Sequence, residues 1–276
     1  MKLFKETKKF AAGSRVIAIA LSGMLLASCA SKTADGTNDS MESFNRQVFA
    51  FNMALDRAIL RPVTRAYVDV VPDPIRDMIS NFLFHLKEPV TLANDLLQGE
   101  WQRAGQTSAR IVTNSIIGFG MWDVMTSSGA AGHKEDFGQT LAVWGVPEGP
   151  YLVLPLLGPS NARDASAELV QFAYPFLDPI PHLMDAHLDT WTRFGVNGTR
   201  MTFTALDKRA KVLGKLAELE KTSLDFYATI RSLYRQKRAD EIRNGESGEA
   251  VPIPEITLEL DEPLANERVI QTSKAQ

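Results

Sequence analysis

Apolar residues recur along most of this chain at helical spacing, and Pro and Gly cut the pattern into segments. Phe44, Val48, Phe51, Leu55 and Ile59 fall on one stripe of an amphipathic helix that stops before Pro62. Asp73-Pro74 places a capping residue before a proline of the first turn, and Ile75, Met78, Ile79, Phe82 and Leu86 continue an apolar stripe beyond it. Glu88-Pro89 kinks or restarts that helix, and Gly99 ends it. Over 100–117 the face of Trp101, Ala104, Ser108, Ile111 and Ser115 defines another helix, with Arg103 and Arg110 off that face. Residues 116–125, IIGFGMWDVM, form a Gly-broken apolar corner.

Strand character is concentrated in QTLAVWGV (139–146) and YLVLPLL (151–157), joined by Pro147-Glu148-Gly149-Pro150. The pattern predicts a hairpin whose two faces are both apolar, so protein or lipid must cover each of them. Asp164 caps a helix that Pro175 ends; further helices are expected over 182–195 and 199–241, with a break near Gly214. In the last of these Leu213, Leu216, Leu224, Tyr227, Ile230 and Tyr234 lie broadly along one side. The expected fold is mostly α, a bundle of amphipathic helices with one apolar β-hairpin, spanning residues 41–245.

The ends of the chain have a different composition. Lys2, Lys5, Lys8, Lys9 and Arg15 precede an apolar run at 16–27, the layout of a secretory signal rather than a membrane span. That run ends at Leu26-Ala27-Ser28-Cys29, and Cys29 is the single cysteine of the 276 residues. A lone cysteine makes no internal disulfide. Its setting matches the bacterial lipobox, so residues 1–28 are expected to be removed and Cys29 lipidated. Several acyl chains at about 0.8 kcal/mol per buried CH₂ hold a protein firmly to a bilayer. Ala30 after the cysteine fits the sorting pattern for the outer membrane. Residues 29–40 are small and polar and read as a tether; the acidic, Pro-containing segment 246–276 reads as a disordered tail.

Charge narrows the function classes. Loss of residues 1–28 removes five basic side chains and Glu6, taking the net charge from −3 to −7. An acidic body is a poor partner for nucleic acid. After Cys29 no run approaches 18 apolar residues, so no helix is expected to cross a membrane.

Catalytic signals are weak. Gly158-Pro159-Ser160-Asn161-Ala162 stops one residue short of the G-x-S-x-G elbow, with Asp178 and His182 or His187 following in order, which would suit a lipid esterase. Yet Ala162 stands where the last glycine belongs, no βαβ units precede Ser160, and no Gly-rich oxyanion loop is present. The plainer reading is a helix-capping turn. His182 and His187 with Asp178, Asp185 and Asp189 lack metal-ligand spacing, and His85 and His133 have no partner at such spacing. No catalytic residue, metal or cofactor is expected.

Five blocks in order resemble the MlaA (VacJ) family of phospholipid-removing lipoproteins: ESFNRQVFAFN, NFLFHLKEPVTLANDLLQGE, RIVTNSIIGFGMWDV, DFGQTLAVWGVPEGPYLVLPLLGPSNARD and SLDFYATIRSLYRQKR. The last departs in having Phe226 where Pro is common. The resemblance implies a ring of helices in the inner leaflet of the outer membrane, pierced by an amphipathic channel. Phospholipids misplaced in the outer leaflet would pass through it to a periplasmic carrier feeding an inner-membrane ABC transporter, beside a trimeric general porin. On that picture the hairpin with Tyr151, Leu154 and Ser160 shapes or gates the channel, and Gly149, Pro150, Pro155, Gly158 and Pro159 fix its bends. Arg163 and Asp164 would pair or hold the lumen rim, and Arg209 and Arg231 would attract phosphate. The alternatives are an esterase using Ser160 and an adaptor that only docks a porin.

Overall fold

A computed structural model describes residues 38–173 and 190–244. Cys29, the leader, the acidic tail, Asp178, His182 and His187 lie outside the described residues. Among the described residues eleven α-helices and one two-stranded sheet follow in order: α1 (Glu42–Leu55), a π-helical turn (Asp56–Leu60), α2 (Arg61–Val70), α3 (Asp73–His85), α4 (Glu88–Gln98), α5 (Trp101–Ile116), α6 (Val124–Ser127), α7 (Phe137–Val143), β1 (Tyr151–Leu154), β2 (Gly158–Asn161), α8 (Ala162–Ala173), α9 (Thr190–Ala210), α10 (Leu213–Thr222) and α11 (Phe226–Ile242).

Several breaks fall where Pro and Gly predict them. Pro74 and Pro89 sit in the first turns of α3 and α4, and Gly99 ends α4 in the left-handed region at φ 80°. Pro62 does not stop the first helix. The chain stays helical to Val70, with a π turn just before the proline. A widened turn moves the preceding carbonyls, so the ring is accommodated and its missing N–H strands no partner. Near the C-terminal end, the expected breaks shift: α9 runs straight through 195–199, Gly214 lies inside α10, and the chain turns at 211–212 and 223–225.

The hairpin is one element further along than its sequence predicts. Residues 137–143 are helical, because Asp136 caps them, its carboxylate accepting the Gln139 N–H at 3.0 Å. The two strands are 151–154 and 158–161, antiparallel, pairing Tyr151 with Asn161 and Leu154 with Gly158. Pro155, Leu156 and Leu157 make the turn, with Leu156 at φ 66° and Gly158 at φ 90°. Ser160 is therefore a strand residue. The cap of α8 is Asn161, whose side-chain oxygen accepts the Asp164 N–H at 2.8 Å, rather than Asp164 itself.

Burial inverts the usual pattern of a globular domain. Among the described residues nine hydrophobic side chains are buried against twenty polar or charged ones. The apolar cluster is small: Tyr151, Val153 and Tyr227, flanked by Val48, Phe49 and Tyr234. On α5 the inward face is Ala104, Thr107, Arg110 and Asn114, while Trp101, Val112 and Ile116 point outward, two of them 71% and 70% exposed. Arg110, which lies off the apolar stripe, is 1% exposed and the largest fully buried side chain among the described residues. The Gly-broken corner carries Ile117, Phe119 and Trp122 outward as well.

Buried ion pairs join distant parts of the chain where a core would otherwise do so. Arg110 donates from Nε to Glu88 (2.9 Å) and from Nη2 to Asp123 (2.8 Å). Arg209 grips Asp56 at 2.6 and 3.0 Å. Arg238 ties Asp136 (2.7 and 2.8 Å) to Asp164 (2.8 Å), drawing α7, α8 and α11 together. Glycine is required at 138 there, since a Cβ would lie 2.6 Å from both Arg238 Nη2 and Asp164 Oδ1. Asn38 and Asp39, expected in the tether, belong to the body: Asp39 accepts from Tyr227 Oη (2.5 Å), Arg231 (2.6 Å) and Asn45 (2.8 Å). Those bonds, with Arg46–Asp225 at 2.5 Å, bring α11 back against α1.

Candidate functional site

The hairpin is held from one edge by a helix. Asn45 and Asn52 stand two turns apart on one side of α1, and both reach β1. Asn45 donates to the Tyr151 carbonyl (2.9 Å) and accepts from the Val153 N–H (2.9 Å). Asn52 donates to the Leu154 carbonyl (2.9 Å) and accepts from the Leu156 N–H (2.9 Å). The two amides thus stand in for a third strand on an edge that would otherwise leave main-chain groups unpaired. Tyr151 is buried, its hydroxyl pKa raised by that burial, while Leu156 and Leu157 at the tip are exposed.

Two cavities of opposite character lie among the described helices. The first, about 740 Å³, opens between α3 and α9. The apolar stripe of α3 (Ile75, Met78, Ile79 and Phe82) forms one wall, with Val196 and Phe203 of α9 opposite. Gly195 keeps the α9 wall low: a Cβ there would meet nothing within 4 Å. Its size is that of a pocket for a small organic ligand, and its surface offers almost no hydrogen-bonding group.

The second, about 450 Å³, is polar. Its walls come from α4, the segment before α7, α8, α9 and α11, and carry Lys134, Glu168, Lys208, Lys237 and Arg238. Arg200 lines both cavities, so apolar and charged surfaces adjoin at that residue. Burial pushes Glu168 up, and the neighbouring Asp136 adds to it. Burial would also raise Asp164, but hydrogen bonding and charge from Arg238 hold it below the usual carboxylate range.

The other sequence-selected residues have defined places. Arg163 and Asp164 pair with each other at 3.0 Å, both buried, and Asp164 also lines the polar cavity. Arg231 is engaged with Asp39 and lies over the Tyr227 ring at 5.6 Å; Arg209 is buried against Asp56. Ser160 is buried, its hydroxyl donating to the Asn161 carbonyl at 3.4 Å, with no histidine bonded to it among the described residues. Glu148 is the carboxylate at the entry to the hairpin, within 3.2 Å of Arg235.

His133, which has no partner at ligand spacing in the sequence, meets Asp95 at 2.9 Å, and with Glu135 completes a group whose ligand atoms lie within 4.8 Å of one another. The donors are already committed. Asp95 also accepts from Thr107 (2.8 Å); Glu135 accepts from Arg103 (2.8 Å), Gln98 (2.9 Å) and Gln139 (2.7 Å). The Arg103 guanidinium supplies the positive charge that a cation would bring, so the arrangement fits an internal salt-bridge network better than a metal centre. Asn45, Asn52 and the α7 cap escaped the sequence reading. The Asp136-x-x-Gln139 spacing is a capping-box signature that marks the third.

Similarity to known proteins converges. A family model described as MlaA lipoprotein matches residues 37–241. The intermembrane phospholipid transport system lipoprotein MlaA of Escherichia coli (strain K12) is 34% identical over 247 residues, 86% of this chain and 91% of that protein. The protein of the same name from Haemophilus influenzae is 31% identical over 261 residues, 89% of this chain and 98% of its own length. A solved structure that gives a structural basis for maintenance of bacterial outer membrane lipid asymmetry superposes with a TM-score of 0.62 at 32% identity. It covers 74% of this chain and 98% of its own.

Proposed function

The chain belongs to the MlaA lipoprotein family, and from that premise we propose that it withdraws mislocalised phospholipids from the outer leaflet of the outer membrane. One observation carries the reading: an apolar cavity adjoins a charged one at Arg200, inside a body that exposes many large apolar side chains and buries several of its ion pairs. Outward Trp101, Ile116 and Phe119 suit a surface in contact with acyl chains, since a water-soluble monomer rarely presents so much apolar area. None of the described helices is long and apolar enough to cross a membrane. A body lying in one leaflet, tethered through an acylated Cys29, satisfies both facts.

A phospholipid needs two environments along its path. Its tails lose most if they meet water, and its headgroup loses most if it enters hydrocarbon. The apolar cavity supplies the first and the Lys-lined cavity the second. The protein's part is to hold both open and to offer no bond-breaking step, because conduction changes only the lipid's location. On this reading the hairpin, clasped by Asn45 and Asn52, shapes or gates the passage from outside the two cavities, which none of its strand residues lines. From there the lipid passes to a periplasmic carrier that feeds an inner-membrane ABC transporter, and a trimeric general porin holds the lipoprotein in place.

The test uses a strain lacking this gene, with surface phosphatidylethanolamine labelled by a membrane-impermeant amine reagent. Surface phospholipid rises in the null strain, and both wild type and Ser160→Ala return it to the original level. Restoration by wild type alone, with lysophospholipid released, would replace the conduit by an esterase. No rise in the null strain would leave only a docking role.

A further inference from the structure

We propose that the polar cavity is an anion site selecting phospholipids with net negative headgroups, recognised by Lys134 and Lys208 with Lys237 at its margin. The proposal rests on the conduit reading and adds headgroup selectivity to it.

The argument starts from which charges in the cavity are already compensated. Arg238 spends its guanidinium on Asp136, Asp164 and Glu241, the last at 3.2 Å. Glu135 is neutralised by Arg103 at 2.8 Å, and the nearby Asp207 by Lys211 at 2.9 Å. Lys237 lies 3.4 Å from Glu241 but is 73% exposed, so that pair is weak. Lys87 and Arg200 complete the basic side of the wall. Two ammonium groups make no hydrogen bond or contact ion pair with any described residue, Lys134 and Lys208, although Glu241 attracts the first and Glu168 the second at longer range. Glu168 is the lining carboxylate without such a partner; burial and the charge of Asp136 raise its pKa, while the charge of Lys208 opposes the shift.

Lys134 and Lys208 come from separate parts of the chain, before α7 and near the end of α9, and converge on one concavity. Burial and repulsion from Lys237, Lys211 and Lys208 hold the Lys134 pKa below the ordinary lysine range. Like charges gathered in a recess are a standing cost, which a bound anion relieves. Phosphate is the anion that a headgroup presents, and the adjoining apolar cavity takes the chains attached to it. A zwitterionic headgroup brings its own cation into the same recess and meets repulsion; an anionic one does not.

The experiment uses the full lipoprotein and a Lys134→Gln/Lys208→Gln variant, both residues being solvent-exposed and lining the cavity. Each is incubated with vesicles of equal phosphatidylglycerol and phosphatidylethanolamine, re-isolated, and its bound lipid quantified by mass spectrometry. Wild type retains phosphatidylglycerol about fivefold over phosphatidylethanolamine, the ratio that about 1 kcal/mol of ion pairing sets. The variant retains the two near parity at equal total lipid, and Lys134→Glu/Lys208→Glu reverses the preference. Equal ratios in wild type and variants, with lipid still bound, would overturn the selectivity and leave the conduit standing. No lipid on any of them would bring down the conduit reading itself. A ³¹P titration with inorganic phosphate alone separates the sources: saturable binding that the variant loses, with unchanged lipid ratios, would assign the site to free phosphate and overturn the headgroup proposal.

Discussion

Arg110→Met is the sharpest test of the claim that ion pairs do the work of a core here. Arg110 is 1% exposed and Glu88 2%, and the guanidinium also donates to the Ala130 carbonyl at 2.6 Å and Thr126 at 3.1 Å. Methionine keeps most of the side chain's length and removes the charge. The Glu88 carboxylate is then left buried with only His85, at 2.7 Å, as its partner. Breaking one side of a buried pair costs about 3–5 kcal/mol. A loss near 4 kcal/mol is a factor of about 10³ in the folding equilibrium and, for a domain of this size, about 8–16 °C in Tm. Thermal and urea unfolding in the detergent that keeps the protein dispersed reads both quantities. Adding Glu88→Gln removes the stranded charge, so the double variant recovers at least about 1 kcal/mol of the loss. A single-variant cost below about 1 kcal/mol, or a double variant whose losses simply add, would refute the reasoning.

Asn45→Ala deletes three hydrogen bonds from a fully buried amide and unpairs the edge of β1; an unfolding free energy lower by about 3 kcal/mol, measured by urea titration, is expected. Burial would raise the Asp123 carboxyl, but hydrogen bonds from Arg110 and Thr126 hold it near 2. Its folded pKa lies below the unfolded value of about 3.9, so its contribution is complete above that pH and is lost as pH falls toward 2. Stability followed by circular dichroism should drop across that window, with a shallower slope in Arg110→Met. Ile116→Glu with Phe119→Glu charges two outward side chains that are 70% and 72% exposed. Binding of the acyl-free body to vesicles should fall about tenfold or more with Tm unchanged, and an unchanged affinity would show that this face does not meet lipid. Leu154→Lys in the hairpin should leave the lipoprotein in the membrane fraction and abolish lipid removal in the surface-labelling assay.

The hydrophobic pattern determined most of the helices by itself. Pro74, Pro89 and Gly99 mark helix ends through constraints carried by one residue and its neighbours, and such constraints hold in any tertiary setting. The hairpin strand Tyr151–Leu154 was legible for the same reason, as an apolar run with turn residues on both sides. Its partner was not. Residues 139–146 and the polar Gly158–Asn161 compete for that role, and short apolar runs are ambiguous between helix and strand. The Asp136 cap and the buried contacts of Gln139 and Thr140 settle the first as a helix.

Periodicity also says which side chains share a face, never which face points inward. On α5 the same repeat puts either Trp101 and Ile116 or Thr107, Arg110 and Asn114 inside; only the assembled helices choose the second set. The choice depends on partners far along the chain: Asp56 and Arg209 are 153 positions apart, and Asp39 and Arg231 are 192. Two arginines that read as headgroup contacts in the sequence are thereby committed to carboxylates, while Lys134 and Lys208, which no spacing singled out, are left facing a shared cavity. Local conformation follows from local sterics and hydrogen bonding, so the chain carries it residue by residue. Charge compensation is a property of the whole assembly, so only the tertiary structure decides which charges are spent within the protein and which remain for a ligand.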